Sequence, residues 1–311
     1  MTDVPTSIWI LFCLCLVALL VLDLAVFHRG AREISKKSAL AWTTVWMSLA
    51  AGFTALLYFW RGGVAAMEFA TGYLIEFSLS MDNVFVFAVI FTSFAVPPMY
   101  RHRVLFWGVL TALILRLVMI LAGAALLETF SWVLYVFAAL LLLTGIKLLL
   151  NRGGSTPPDR HPAVRIFRKF VPVTDTFEGE RFFVRRAGRL WATPLAVVLV
   201  AVEASDVIFA IDSVPAIFAV TKDPFIVFTS NAFAILGLRS IYFLLESALD
   251  RFHLLKYGLG LILCFVGVKM LLAHTPYAIP TPASLAVIVL TLGGSIAVSM
   301  LRPPRLDAAT S

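Results

Sequence analysis

Charge is scarce in this 311-residue chain: 14% of its residues are Asp, Glu, Lys or Arg, against roughly a quarter in an average soluble domain. A composition 61% apolar and 13% aromatic, with a mean hydropathy of +0.96, excludes a soluble single-core fold and a disordered chain. Cysteine is nearly absent. Cys13, Cys15 and Cys264 all sit inside apolar runs, which excludes a disulfide scaffold and suits small hydrophobes better than a redox or metal role. No Gly-rich phosphate loop of the Walker type occurs, so ATP-driven pumping is not expected. The five histidines (His28, His102, His161, His253 and His274) fall in loops or at the ends of apolar runs, which weakens a zinc or copper reading.

What the chain has instead is long apolar runs. A span of about 20 apolar residues crosses the hydrocarbon core of a bilayer. By that measure nine spans are predicted, at about 7–27, 38–59, 66–94, 103–126, 130–150, 192–220, 224–248, 256–273 and 282–301. The first is read as retained rather than cleaved, because MTDVPTS lacks a basic leader and Asp23 interrupts its run. Alternate connecting segments hold 19 Lys and Arg residues against two, Arg61 and Lys222, in the others. That asymmetry places the N-terminus outside and the C-terminus in the cytoplasm. It also accounts for the net charge of +7 without a nucleic-acid partner.

The expected fold class is therefore an all-α membrane protein of about nine transmembrane helices. Its expected layout is two N-terminal spans (1–65), a three-helix unit (66–150), a basic cytoplasmic loop (151–190), a second three-helix unit (191–273), and a last span with its tail (274–311). The loop, with nine basic residues against four acidic ones, reads mainly as an orientation determinant and flexible linker.

The two three-helix units repeat. SMDNV (80–84) answers AIDSV (210–214), ILRLVMIL (114–121) answers GLRSIYFL (237–244), and TGIKLLL (144–150) answers VGVKMLL (266–272). Three spans per unit is an odd number, so the second unit enters the membrane from the opposite side. Such an inverted 3+3 repeat is the architecture of many secondary transporters, whose substrate sits near the midplane between the halves.

Five acids fall deep in these spans: Glu76 and Asp82 in the first unit, and Glu203, Asp206 and Asp212 in the second. Each costs roughly 2.5–3.5 kcal/mol on insertion scales, so each invites a functional explanation. Only Arg116 and Arg239 are comparably deep, while Lys147 and Lys269 are expected to snorkel to an interface. The acids outnumber the bases, and the excess must be protonated or neutralised by a cation. Glu203 and Asp206 share a helix face, and Asp206 shares a stripe with Ser213 as Glu76 does with Asn83. Asp212 would point elsewhere on a straight helix. Pro215 is expected to free the Ile211 carbonyl and break the helix near Asp212, turning it toward Asp206. Together with Asn83, Ser213 and Asn231, these carboxylates form an all-oxygen set that favours Mn²⁺, Mg²⁺ or Ca²⁺.

At these residues the sequence resembles the TerC family of bacterial membrane proteins, and within it the Alx-like members. The matching stretches are DLAVF (23–27), GYLIEFSLSMDNVFVF (72–87), TDTFEGERFFVR (174–185) and VEASDVIFAIDSVPAIFAVTKDPFIVFTSNAFAILGLRSIYFLL (202–245). The resemblance implies a multi-span metal-ion transporter in the broader group that includes lysine exporters, with manganese efflux as its role and tellurium resistance as an older label. It also implies that Glu76, Asp82, Asn83, Glu203, Asp206, Asp212 and Ser213 occupy the family's polar motif positions. Phe77 stands where family members commonly carry Lys, which leaves the first acidic cluster more negative.

The expected partners are thus a divalent cation, with Mn²⁺ favoured, protons and the lipid bilayer, with no resident cofactor and no nucleic acid. Arg116 and Arg239 would balance charge rather than touch metal. Two other readings stand beside transport. One is an intramembrane hydrolase with an Asp82–Asp212 carboxylate dyad; the other is a non-transporting stress scaffold built around loop 151–190.

Overall fold

Backbone in hydrocarbon must satisfy its own hydrogen bonds, and long apolar runs do so as helices. The computed structural model describes residues 4–27, 36–130, 132–150, 162–186, 188–245, 254–273 and 275–301. In chain order the elements are α1 (Thr6–Phe27), α2 (Lys36–Arg61), α3 (Gly63–Ser93), α4 (Pro98–Thr129), α5 (Val133–Leu149), α6 (Pro162–Phe170), β1 (Phe183–Arg186), β2 (Arg189–Ala192), α7 (Pro194–Phe218), α8 (Pro224–Leu245), α9 (Leu255–Leu272) and α10 (Thr281–Leu301). Each predicted span coincides with one of these helices. Among the described residues, α2, α3, α4, α7, α8, α9 and α10 are long and apolar enough to cross a membrane, and α1 and α5 supply shorter apolar stretches.

Helix α8 is the bundle's axis. Its membrane-length window is buried throughout, and it packs against α2, α3 and α4. At one end α1 closes over it through Trp9 and Phe12: Trp9 stacks on Phe228, and the other ring contacts with Phe225 and Phe228 are edge-on. Helices α3 and α7 pack against each other, α4 packs against α7, and α5 lies along α9. The α5–α9 approach is close because its contact points are small. A side chain at Gly145 would place its first carbon 2.6 Å from Cys264 Sγ and 2.8 Å from the Gly260 carbonyl oxygen. Such small-residue contacts let van der Waals packing hold helices together where no hydrophobic drive exists.

Two expectations are corrected. The fold is mainly helical as expected, but loop 151–190 is not a plain linker: residues 162–170 form α6, and β1 pairs antiparallel with β2. Gly188, at φ 79°, supplies the left-handed turn residue that a tight hairpin between two Arg-flanked strands requires. The segment is anchored by Val164, fully buried in a cluster with Leu195, Val197 and Val198 of α7. Arg103 donates to Glu180 at 2.9 Å and lies over the Phe182 ring. Residues 151–161 of the loop lie outside the described residues.

The second correction concerns Pro215. Helix α7 runs unbroken through it. A proline removes one amide donor, yet neighbouring helices in a membrane bundle hold such a helix in place, and Pro215 is buried against them.

A buried guanidinium between two carboxylates

The candidate site lies where α3, α4 and α7 meet. Arg116 reaches inward from the middle of α4, with 1% of its surface exposed. Its Nη1 donates to Glu76 Oε2 on α3 at 2.6 Å and to Ser213 Oγ on α7 at 2.9 Å. Its Nη2 donates to Asp206 Oδ1 on α7 at 3.4 Å. Glu76 is completely buried and Asp206 nearly so. Asp206 and Ser213 do share a stripe of α7, since one guanidinium spans both.

The pairing is incomplete. Among the described residues, Glu76 Oε1, Asp206 Oδ2 and Arg116 Nε have no hydrogen-bond partner, although all are sealed from solvent. The same holds for both amide atoms of Asn83 and of Asn231, and for the hydroxyls of Ser78 and Ser80. Buried polar atoms are nearly always satisfied, so the free oxygens that Glu76 and Asp206 keep beside Arg116 are unusual for a site that only packs. A void of about 10 Å³ touches Asp206, walled by Phe87, Val109, Val202 and Leu238. That is about the room one water needs.

The other predicted residues are placed as follows. Glu203 accepts a hydrogen bond from Thr111 of α4, so it faces the same helix as Asp206, three residues on. Asp212 accepts from Thr144 Oγ1 of α5 at 2.9 Å, turned away from Asp206. The unbroken helix explains this, and the expected convergence of Asp212 on Asp206 is not seen. Arg239 is buried on α8. The Asp82 side chain lies outside the described residues, as do those of Asp23 and Glu246. Among the described residues no three His, Cys, Asp or Glu side chains cluster closely enough to hold a metal ion. Arg116 is what joins Glu76 to Asp206.

Sequence reasoning missed a second polar group at one end of the bundle. Arg61 Nη1 donates to Asp223 Oδ2 at 2.5 Å, and Thr221 Oγ1 donates to Glu68 Oε2 at 2.8 Å. Arg61, Glu68 and Asp223 border a cavity of about 580 Å³ that also touches Trp60, Val64 and Ile226. Asp223 additionally caps α8 by accepting from the Phe225 amide at 2.9 Å. The Asp223-Pro224 pair at the start of an apolar run was the available signal. Lys269 is buried rather than snorkelling, while Lys147 is exposed.

Known proteins share this sequence along its length. Residues 62–306 match the family described as Integral membrane protein TerC family. "Uncharacterized membrane protein STKORF319" of Myxococcus xanthus is 50% identical over 296 residues, 95% of this chain and 92% of its own. A Salmonella typhi protein named "Putative membrane-bound redox modulator Alx" is 46% identical, covering 97% of both chains. Its namesake in Escherichia coli strain K12 is also 46% identical, over 91% of this chain and 92% of its own. No solved structure matches. The chain is thus a multi-pass integral membrane protein and belongs to the TerC family.

Proposed function

We propose that this protein exports a hard divalent cation, Mn²⁺ foremost, across the bacterial inner membrane in exchange for protons. The observation that carries the reading is the Glu76–Arg116–Asp206 network. Two buried carboxylates share one guanidinium, and each keeps an oxygen without a hydrogen-bond partner among the described residues. One guanidinium cannot balance two ionised carboxylates, so a medium that penalises net charge calls for a proton or a further cation. Oxygen donors on Glu76, Asp206, Asn83, Asn231 and Ser213 match the preference of Mn²⁺ and Mg²⁺ for carboxylate and carbonyl ligands.

In this reading Arg116 is a tethered stand-in for the cargo. It holds the two carboxylates while the site is closed, and a dication or protons displace it when the site loads. Glu203 and Asp212, each held by one threonine hydroxyl, flank the centre as way stations along α7. Asp82 and Arg239 complete the proposed set as a further acid and a second balancing cation.

The energetics favour exchange. Moving a dication outward against 100 mV costs roughly twice 2.3 kcal/mol, and each entering proton returns roughly 2.3. About two protons per metal therefore cancel the electrical cost.

The helix pairings support the rest of the proposal. The first helix of each unit packs on the second helix of the other, α3 on α8 and α7 on α4, while α5 lies along α9. That exchange is what an inverted repeat of α3–α5 and α7–α9 requires. We read all nine apolar helices as spans, with the N-terminus outside and the C-terminus cytoplasmic, and we take kinship with lysine exporters as part of the same proposal. The unbroken α7 leaves Asp212 on Thr144, which gives the dyad-hydrolase reading no support.

Cellular manganese content tests the assignment. Cells expressing the protein should hold less manganese than cells lacking it, and the Asp206→Ala, Asp212→Ala double variant should restore the higher level. Unchanged manganese content would remove export from consideration.

A further inference from the structure

The segment between α5 and α7 carries a surface that the transport reading does not use. Helix α6 has three faces. Val164 and Phe167, three apart, turn toward the bundle, Val164 fully buried. Ile166 and Phe170, four apart, lie on a second face and are 55% and 82% exposed. Arg165, Arg168 and Lys169, all exposed, form a third face between the other two. The hairpin repeats the pattern. Arg185 pairs directly with Leu190 and Phe183 with Ala192, so Phe183, Arg185 and Leu190 share one side of the ribbon. Phe183 and Leu190 are 48% and 55% exposed.

The position of this surface selects what covers it. Val164 packs beside Leu195, Val197 and Val198, in the first turn of α7, and β2 ends two residues before that helix begins. Leu190 is thus four residues from Pro194, at most roughly 14 Å of extended chain. That distance leaves Leu190 within reach of the headgroup layer, which lies several ångströms outside the core on each side, and Val164 ties α6 to the same end of α7. Large apolar side chains beside a row of Lys and Arg are the features by which a helix lies in the interface of an anionic bilayer. The contacts of Arg103 with Glu180 and Phe182 fix the segment to α4, so the surface is preformed.

We propose that α6 and the β1–β2 hairpin dock on the anionic phospholipid surface of the bilayer that holds the protein. Ile166, Phe170, Phe183 and Leu190 enter the headgroup layer, and Arg165, Arg168, Lys169 and Arg185 bind lipid phosphates. Soluble phosphate compounds or nucleic acid would meet the charges but not the large apolar side chains, while the bilayer beside α7 offers partners for both.

Hydrogen exchange on the full-length protein tests this in nanodiscs of phosphatidylcholine with and without phosphatidylglycerol. Amides of 162–170 and 183–192 should exchange about tenfold more slowly when phosphatidylglycerol is present. The Arg165→Glu, Arg168→Glu, Lys169→Glu triple variant should abolish the difference, and Phe170→Ser, at a site outside the core, should reduce it. Unchanged exchange in α7 and α8 verifies that both variants fold. Equal exchange in the two lipids overturns the proposal. So does equal protection in detergent, or protection that appears only on adding RNA or soluble protein.

Discussion

Arg116 and Glu76 form a salt bridge of 2.6 Å with essentially no solvent access to either side chain. The second carboxylate, Asp206, is held less closely, at 3.4 Å. The guanidinium is thus shared unequally, held closely by one buried acid and more loosely by the other. Removing it leaves two anions in a low-dielectric interior, which is far more costly than never having buried them.

Arg116→Leu should therefore lower stability by about 3–5 kcal/mol, the usual loss when one partner of a buried pair is deleted. Thermal unfolding in detergent measures it. Adding Glu76→Gln to the same chain should recover part of the loss, and strict additivity of the two substitutions would contradict the pairing.

Asp206→Asn should behave differently. It keeps the shape and the contact to Arg116 while removing a charge, so stability should change by no more than about 1 kcal/mol. Mn²⁺ binding, followed by titration calorimetry on the purified protein, should fall at least about tenfold. Full retention of binding would place the cation elsewhere.

Much of this site was legible in the sequence, because charge in an apolar run is conspicuous. The stripe joining Asp206 to Ser213 and the divergence of Asp212 both follow from an unbroken 3.6-residue period. The expected break at Pro215 misled in the other direction. Proline's cost depends on neighbours that the sequence does not display, and α7 has them on several sides. Residues 162–192 were hard to read for a different reason. An eight-residue ribbon and a nine-residue helix are too short for periodicity to stand out, and their order comes from Val164 and Phe182 meeting distant helices. Lys269 is the mirror case: a stem long enough to snorkel was expected at an interface, yet tertiary packing buries it.

Thr111→Val and Thr144→Val test the flanking acids. Each removes the one hydroxyl that donates to Glu203 or to Asp212. A hydrogen bond to a charged group contributes about 1.5–3 kcal/mol, so unfolding should shift by up to that amount. Mn²⁺ flux should also slow in both variants. Wild-type flux in both would exclude Glu203 and Asp212 from the route.

Gly145→Ala probes the α5–α9 seam. Its added carbon meets the Gly260 carbonyl oxygen and the Cys264 amide nitrogen, at 2.8 Å and 2.9 Å. Backbone must therefore move, at a cost of about 1–3 kcal/mol. Gly52→Ala has open space around the new carbon and is the control, with no loss expected. Equal stability of the two variants would contradict the close approach.

The most direct measurement is Mn²⁺ movement in proteoliposomes under an imposed proton gradient. Wild-type protein should drive Mn²⁺ opposite to the proton flow, with Asp206→Asn inactive under identical conditions. Mn²⁺ flux indifferent to the gradient, or identical in the Asp206→Asn protein, would contradict the account.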